Sequence, residues 1–181
     1  DDTGTISVVV YCQPLDFTRF AKAYIDGVRI VTPNTYGIPP GGEPGDSKYG
    51  SQQVFLLMAS PNGGVSECEG ANFMFVKDGR IKLPDRRNVL PGVSMQTVLE
   101  LAESLNFPVD EGTYTQRDIY TADEAFVSST RYCILPVATL NGLPVGNGIP
   151  GKATTALLES WAAAVGIDFV NQALSHLPSA E

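Results

Sequence analysis

Soft metal ligands are scarce: the 181 residues hold three cysteines, Cys12, Cys68 and Cys133, in no CxxC spacing, and a single histidine, His176. So few ligands support neither a structural zinc site nor a disulfide framework. Basic charge is also short, with 12 Lys and Arg against 20 Asp and Glu for a net charge of −8, and only Arg86 and Arg87 stand side by side. This argues against duplex nucleic acid or an anionic membrane as the main partner. Long apolar runs are missing too, because the stretches at 6–12 and 54–59 fall far short of the roughly 20 residues that span a bilayer. No methionine precedes Asp1, which suits a processed end or a fragment. What is present is 43% hydrophobic residues, enough for one domain with a real core.

Residues 6–12, rich in valine, predict a strand buried on both faces. The Asp26-Gly27 pair inside 24–31 predicts a hairpin turn. Four prolines and five glycines from Pro33 to Gly50 predict a loop. Strands then follow at 54–58, 65–67 and 71–76, with turns at Pro61-Asn62-Gly63-Gly64 and Lys77-Asp78-Gly79-Arg80, in the manner of an antiparallel meander. Val98, Leu101, Ala102 and Leu105 recur at helical spacing, so 94–105 predicts a helix with Ser94 as its N-cap. Thr115-x-x-Asp118 is a capping pattern for a short helix, 125–127 and 134–138 are strands, and Asn141-Gly142 is a turn. A second amphipathic helix covers 152–165, with Leu157, Trp161 and Ala164 on one face. The order predicts a mixed α/β layer architecture with α+β character.

Two short segments could hold an anion. Leu90-Pro91-Gly92-Val93-Ser94 leads through a glycine turn into a helix N-terminus, where a phosphate can bind without a lysine. Gly92 and Ser94 serving only as turn and cap is the competing reading. Ser128-Ser129-Thr130 sets three hydroxyls at a strand end, as a ligand contact or as a polar turn. Gly146-x-Gly148-x-x-Gly151 spells a dinucleotide fingerprint, but no uninterrupted strand precedes it and Pro150 removes an N–H from the supposed cradle. The context argues against a dinucleotide there. Glu67 and Glu69, two apart in an apolar stretch with Asn72 nearby, would share a strand face unless Gly70 forms a bulge, and both could instead point to solvent.

Taken in order, Glu67-x-x-x-x-Asn72, Lys77-Asp78-Gly79, Leu90-Pro91-Gly92-Val93-Ser94, Ala122-Asp123-Glu124-Ala125-Phe126, Ser129-Thr130, Leu135-Pro136-Val137, Asn141-Gly142 and Gly148-x-x-Gly151 resemble the class IV (fold-type IV) pyridoxal-phosphate aminotransferases. That family includes branched-chain and D-amino acid aminotransferases, R-selective amine transaminases and aminodeoxychorismate lyases. The resemblance covers about 54–165. It implies a D-amino acid aminotransferase-like cofactor domain at 51–181, a remnant of the N-terminal small domain at 1–20, and a hairpin with a Pro/Gly-rich loop at 21–50. The small domain would be largely missing.

The cofactor implied is pyridoxal 5′-phosphate, with no metal. By resemblance Glu67 pairs with its ring nitrogen, Asn72 supports Glu67, Val93 and Ser94 offer main-chain N–H groups to its phosphate, and Ser94 and Thr130 add hydroxyls. The family also needs a lysine upstream of the glutamate that bonds the cofactor and carries a proton. Lys48 is the candidate. In a second alignment 48–51 match a surface turn, and the catalytic lysine is lost with a skipped segment. Leu83, Met95 and Glu69 depart from the family pattern. The reaction implied is reversible amino transfer between an amino acid or amine and a 2-oxo acid, in a soluble homodimer of the cytoplasm or an organelle. A lyase of the same fold and a non-catalytic cofactor-binding remnant are the alternatives. A misplaced or missing lysine predicts little or no turnover by this chain.

Overall fold

The computed structural model describes residues 8–33 and 54–178. The chain enters through two short helices, α1 (Thr18–Ala21) and α2 (Ala23–Asp26), and Gly27, at φ 70°, ends α2 so that the chain turns directly into β1 (Val28–Val31). The Asp26-Gly27 pair is therefore a helix stop, and the expected hairpin at 24–31 does not form. β1 is instead a central strand, parallel to both β2 (Val54–Ala59) and β8 (Cys133–Leu140).

β3 (Val65–Cys68) folds back on β2, and β4 (Asn72–Lys77) on β5 (Arg80–Pro84), both antiparallel. The meander stops between them, since β3 and β4 are not neighbours in the strand order and the chain between them is closed by the Cys68–Ala71 bridge. The remaining strands are β6 (Val109–Gly112), β7 (Glu124–Ser129) and β9 (Leu143–Pro144), giving a nine-stranded sheet in the order β3-β2-β1-β8-β7-β4-β5-β6 with β9 on β8. Val65 N–H reaches Tyr114 O at 2.7 Å, so the β3 edge curls toward the chain that follows β6. The expected mixed α/β class holds.

Helices cover one face of this half-barrel. α3 (Val93–Ser104) buries Val98 and Ala102, while Leu105 has become its C-cap. α5 (Lys152–Val165) buries Leu157 and half-buries Trp161, but Ala164 is exposed. The two helices touch each other and both rest on β7. A short α4 (Gln116–Tyr120) starts on the expected capping box, with Asp118 accepting from Thr115 N–H at 2.7 Å. α6 (Phe169–Leu174) closes the chain against α1. The turn after β8 has Asn141 and Gly142 both at positive φ, the conformation that selects this residue pair.

Residues 8–12 contradict their valine-rich sequence. They form no strand, and Val8, Val9 and Val10 are more than 80% exposed. β-propensity describes fit to a pleated surface, and no described strand pairs with them. Lys48 and most of the 33–50 segment lie outside the described residues. Among the described residues no helix is long and apolar enough to cross a membrane.

Candidate functional site

β4 and β7 pair in register, with Asn72 opposite Ser128, Met74 opposite Phe126 and Val76 opposite Glu124. Directly opposed residues share a face, so this register lines Asn72, Ser128 and Glu124 along the side that carries α3 and α5. At one end of that row Asn72 organises a cluster. Its Nδ2 donates to Glu67 Oε2 at 3.0 Å and to Leu90 O at 2.9 Å, while Leu90 N–H donates to the same Glu67 oxygen at 2.9 Å. Both bonds engage Oε2, and among the described residues none uses Oε1. A half-buried carboxylate is thus fixed by two donors with one oxygen left over.

Glu69 does not share that face. It lies past the end of β3 in the turn closed by Gly70 at φ 71°, where Ala71 N–H bonds Cys68 O at 3.2 Å. Between the two glutamates Cys68 is buried, and burial pushes its thiol well above the ordinary range, with the Glu67 charge adding to the effect. The thiol is therefore a neutral packing group.

The same asparagine sets the start of α3. A methyl built on Gly92 would overlap Asn72 Oδ1, so only glycine brings the chain this close. Gly92, and not Ser94, is the N-cap, because Ser94 already lies within the helix; no side chain caps this end. The first helical bond runs from Gln96 N–H to Gly92 O, which leaves the N–H groups of Val93, Ser94 and Met95 without intrahelical acceptors. Ser94 is buried and Val93 exposed. Ser128 is 1% exposed and its hydroxyl has no hydrogen-bond partner. Thr130 follows two residues later, exposed in the turn between β7 and β8. The network thus brings together Glu67, Asn72, Gly92 and the first residues of α3, with Ser128 beside Asn72.

The other candidate helix start is closed. Glu124 accepts from Ala153 N–H at 2.8 Å, Thr154 N–H at 2.9 Å and Thr154 Oγ1 at 2.6 Å, so a buried carboxylate caps α5. The GxGxxG letters at 146–151 precede a helix terminus already filled by the chain's own anion. Sequence reasoning did not find this cap. Its one signal was Gly151, where a methyl would overlap the Glu124 carboxylate.

Open N–H groups at α3, a glycine-only approach and an orphan buried hydroxyl fit a phosphate, and the spare Glu67 oxygen fits a protonated ring nitrogen. The chain is also similar to known proteins. Residues 49–140 match the family described as Amino-transferase class IV. A branched-chain-amino-acid aminotransferase of Salmonella typhimurium is 35% identical over 173 residues, 87% of this chain and 56% of that protein. A T.th. branched-chain amino acid aminotransferase, solved with N-(5′-phosphopyridoxyl)-L-glutamate, superposes with a TM-score of 0.66 at 26% identity, over 80% of this chain and 54% of that one. The 4-amino-4-deoxychorismate lyase of Pseudomonas aeruginosa superposes with a TM-score of 0.57 at 27% identity, over 62% and 41%. The chain spans about half the length of the relatives it matches. With half of its own residues inside the family match, it belongs to the class IV aminotransferases.

Proposed function

We propose that residues 51–181 form the pyridoxal-phosphate-holding part of an aminotransferase that moves an amino group between an amino acid or amine and a 2-oxo acid. The observation that carries this reading is the Glu67–Asn72–Leu90 network set against the uncapped start of α3. Bound pyridoxal phosphate supplies an electron sink for a carbanion at the substrate's α-carbon. Glu67 keeps a proton on the ring nitrogen through its spare oxygen. Asn72 and Leu90 N–H fix the other oxygen, so the carboxylate is oriented before the cofactor arrives. Val93 and Ser94 N–H groups, with the Ser94 and Thr130 hydroxyls, hold the phosphate. The solved lyase neighbour supports a second reading, in which the same residues serve an elimination.

Equilibrium dialysis with pyridoxal phosphate tests the site without requiring turnover. Saturable binding is expected, and Thr130→Ala should weaken it roughly tenfold or more, the usual effect of losing a hydrogen bond to a charged group. Absence of saturable binding, or equal affinity in the variant, would remove the phosphate assignment. The working form is a homodimer, in keeping with the exposed Val8–Tyr11 run, which needs cover. Sedimentation at increasing concentration should show the dimer, and a monomer throughout would reject it.

A further inference from the structure

Farther along β8 from the Ser128 end of the sheet, a cavity of about 480 Å³ lies where α1 and α2 meet β1 and β8. It shares no residue with the Glu67 cluster, and its volume is ordinary for a small-molecule site. Its described lining includes Arg19, Lys22 and Arg29 against the single carboxylate of Asp26. Arg19 interacts with the Asp16 carboxylate, so Lys22 and Arg29 are the cations set against Asp26, an excess of one positive charge in a chain whose net charge is −8. The cations come from different elements: Lys22 joins α1 to α2, and Arg29 projects from the exposed side of β1. Neither Lys22 nor Arg29 forms an ion pair with a described carboxylate. Arg19 lies with its guanidinium 5.4 Å from the centre of the Phe20 ring.

Thr139 pairs with Arg29 in the β1–β8 register. Its Oγ1 is buried and has no hydrogen-bond partner, an arrangement that is unfavourable until a ligand supplies one. Gly27 holds α2 tightly against β8, since a methyl there would stand 3.0 Å from Ala138 N and 3.1 Å from Ile149 Cγ2. The wall of the cavity is therefore set by backbone packing and does not depend on long side chains alone.

We propose that this cavity binds a small organic dianion, a phosphate monoester or a dicarboxylate, held by Lys22 and Arg29 with the Thr139 hydroxyl donating to it. The guanidinium offers a planar fork and the ammonium a point charge, and both suit either kind of anion. Asp26 faces the ligand's polar body, where it accepts from a hydroxyl or ammonium group.

Calorimetric titration of the whole chain with inorganic phosphate and, separately, with succinate tests the site. The titrations are run in a Thr130→Ala background, which weakens the α3 terminus, and the Lys22 and Arg29 variants separate any remaining signal there from this cavity. At least one probe should bind saturably in the millimolar range or tighter. Lys22→Gln and Arg29→Gln should each weaken that binding about tenfold or more, and Thr139→Val by a smaller factor. Both cations are exposed, so these variants keep the fold, which circular dichroism verifies. Binding of phosphate alone assigns a phosphate monoester, and binding of succinate alone a dicarboxylate. Failure of both probes to saturate, or unchanged affinity in both glutamine variants, overturns the proposal.

Discussion

Incubated with pyridoxal phosphate, an amino donor and 2-oxoglutarate, the 181-residue chain is expected to turn over roughly a thousandfold or more slowly than the Salmonella relative assayed beside it. Amino transfer needs an amine that reaches the cofactor and shuttles a proton, and the chain has only five lysines. Lys77 donates to Thr121 O, and Lys82 is paired with Asp110 at 2.6 Å. Lys22 lines the separate cavity between α2 and β8, and Lys152 is exposed in the first turn of α5. None of these four joins the Glu67 cluster. Lys48 remains, one residue before the family match begins, in a sequence whose prolines and glycines carry no helix or strand pattern. Proximity gives its full advantage only to an amine held in place. Robust turnover abolished by Lys48→Ala would overturn this expectation and make Lys48 the catalytic residue. Borohydride reduction followed by peptide mapping reads the same question independently of rate.

What the sequence discloses here is what lies close along the chain. The α5 boundaries, the Thr115–Asp118 box and the Asn141-Gly142 turn follow from neighbours at most about four residues apart, and each appears as read. Glu67 and Asn72 are five apart, and their direct bond realises the spacing that carried the family resemblance. Pairings across long separations were out of reach. β1 lies between β2 and β8, partners whose residues 54 and 137 share no local signal with it, so a helix stop at Gly27 reads in sequence like a hairpin. Val8–Val10 carry strand propensity without a described partner strand to realise it. Ser94 shows how a small shift along the chain changes a role: the cap falls on Gly92, where Asn72 Oδ1 occupies the space a side chain would need. That constraint comes from another strand, which a helix-capping rule cannot anticipate.

Replacing Glu124 should be the most damaging single change to the fold. Its carboxylate serves two backbone N–H groups and one hydroxyl in a place where Ala153 is 4% and Thr154 0% exposed. Glu124→Leu leaves those donors buried without acceptors and removes a negative charge from the positive end of α5. At about 1–3 kcal/mol for each orphaned donor, partly relieved by relaxation, the expected loss is about 3–6 kcal/mol in urea unfolding. Gly151→Ala should also destabilise, because its methyl overlaps the same carboxylate. The two effects share one cause and should not add. In a Glu124→Ala background the carboxylate contacts are gone and only the Cβ of residue 124, 2.7 Å from the added methyl, remains, so Gly151→Ala should cost less there than in the native chain but not nothing. A cost that is equal in both backgrounds would mean that the glycine is required by the turn before α5 or by the Cβ of residue 124, and not by the carboxylate cap. A loss below about 0.5 kcal/mol for Glu124→Leu, within the range of an ordinary surface change, would show that the helix start finds other acceptors. Retention of the cap bears on the proposed site: with α5 closed by Glu124, α3 is the one of the two long helices whose first N–H groups have no side-chain cap.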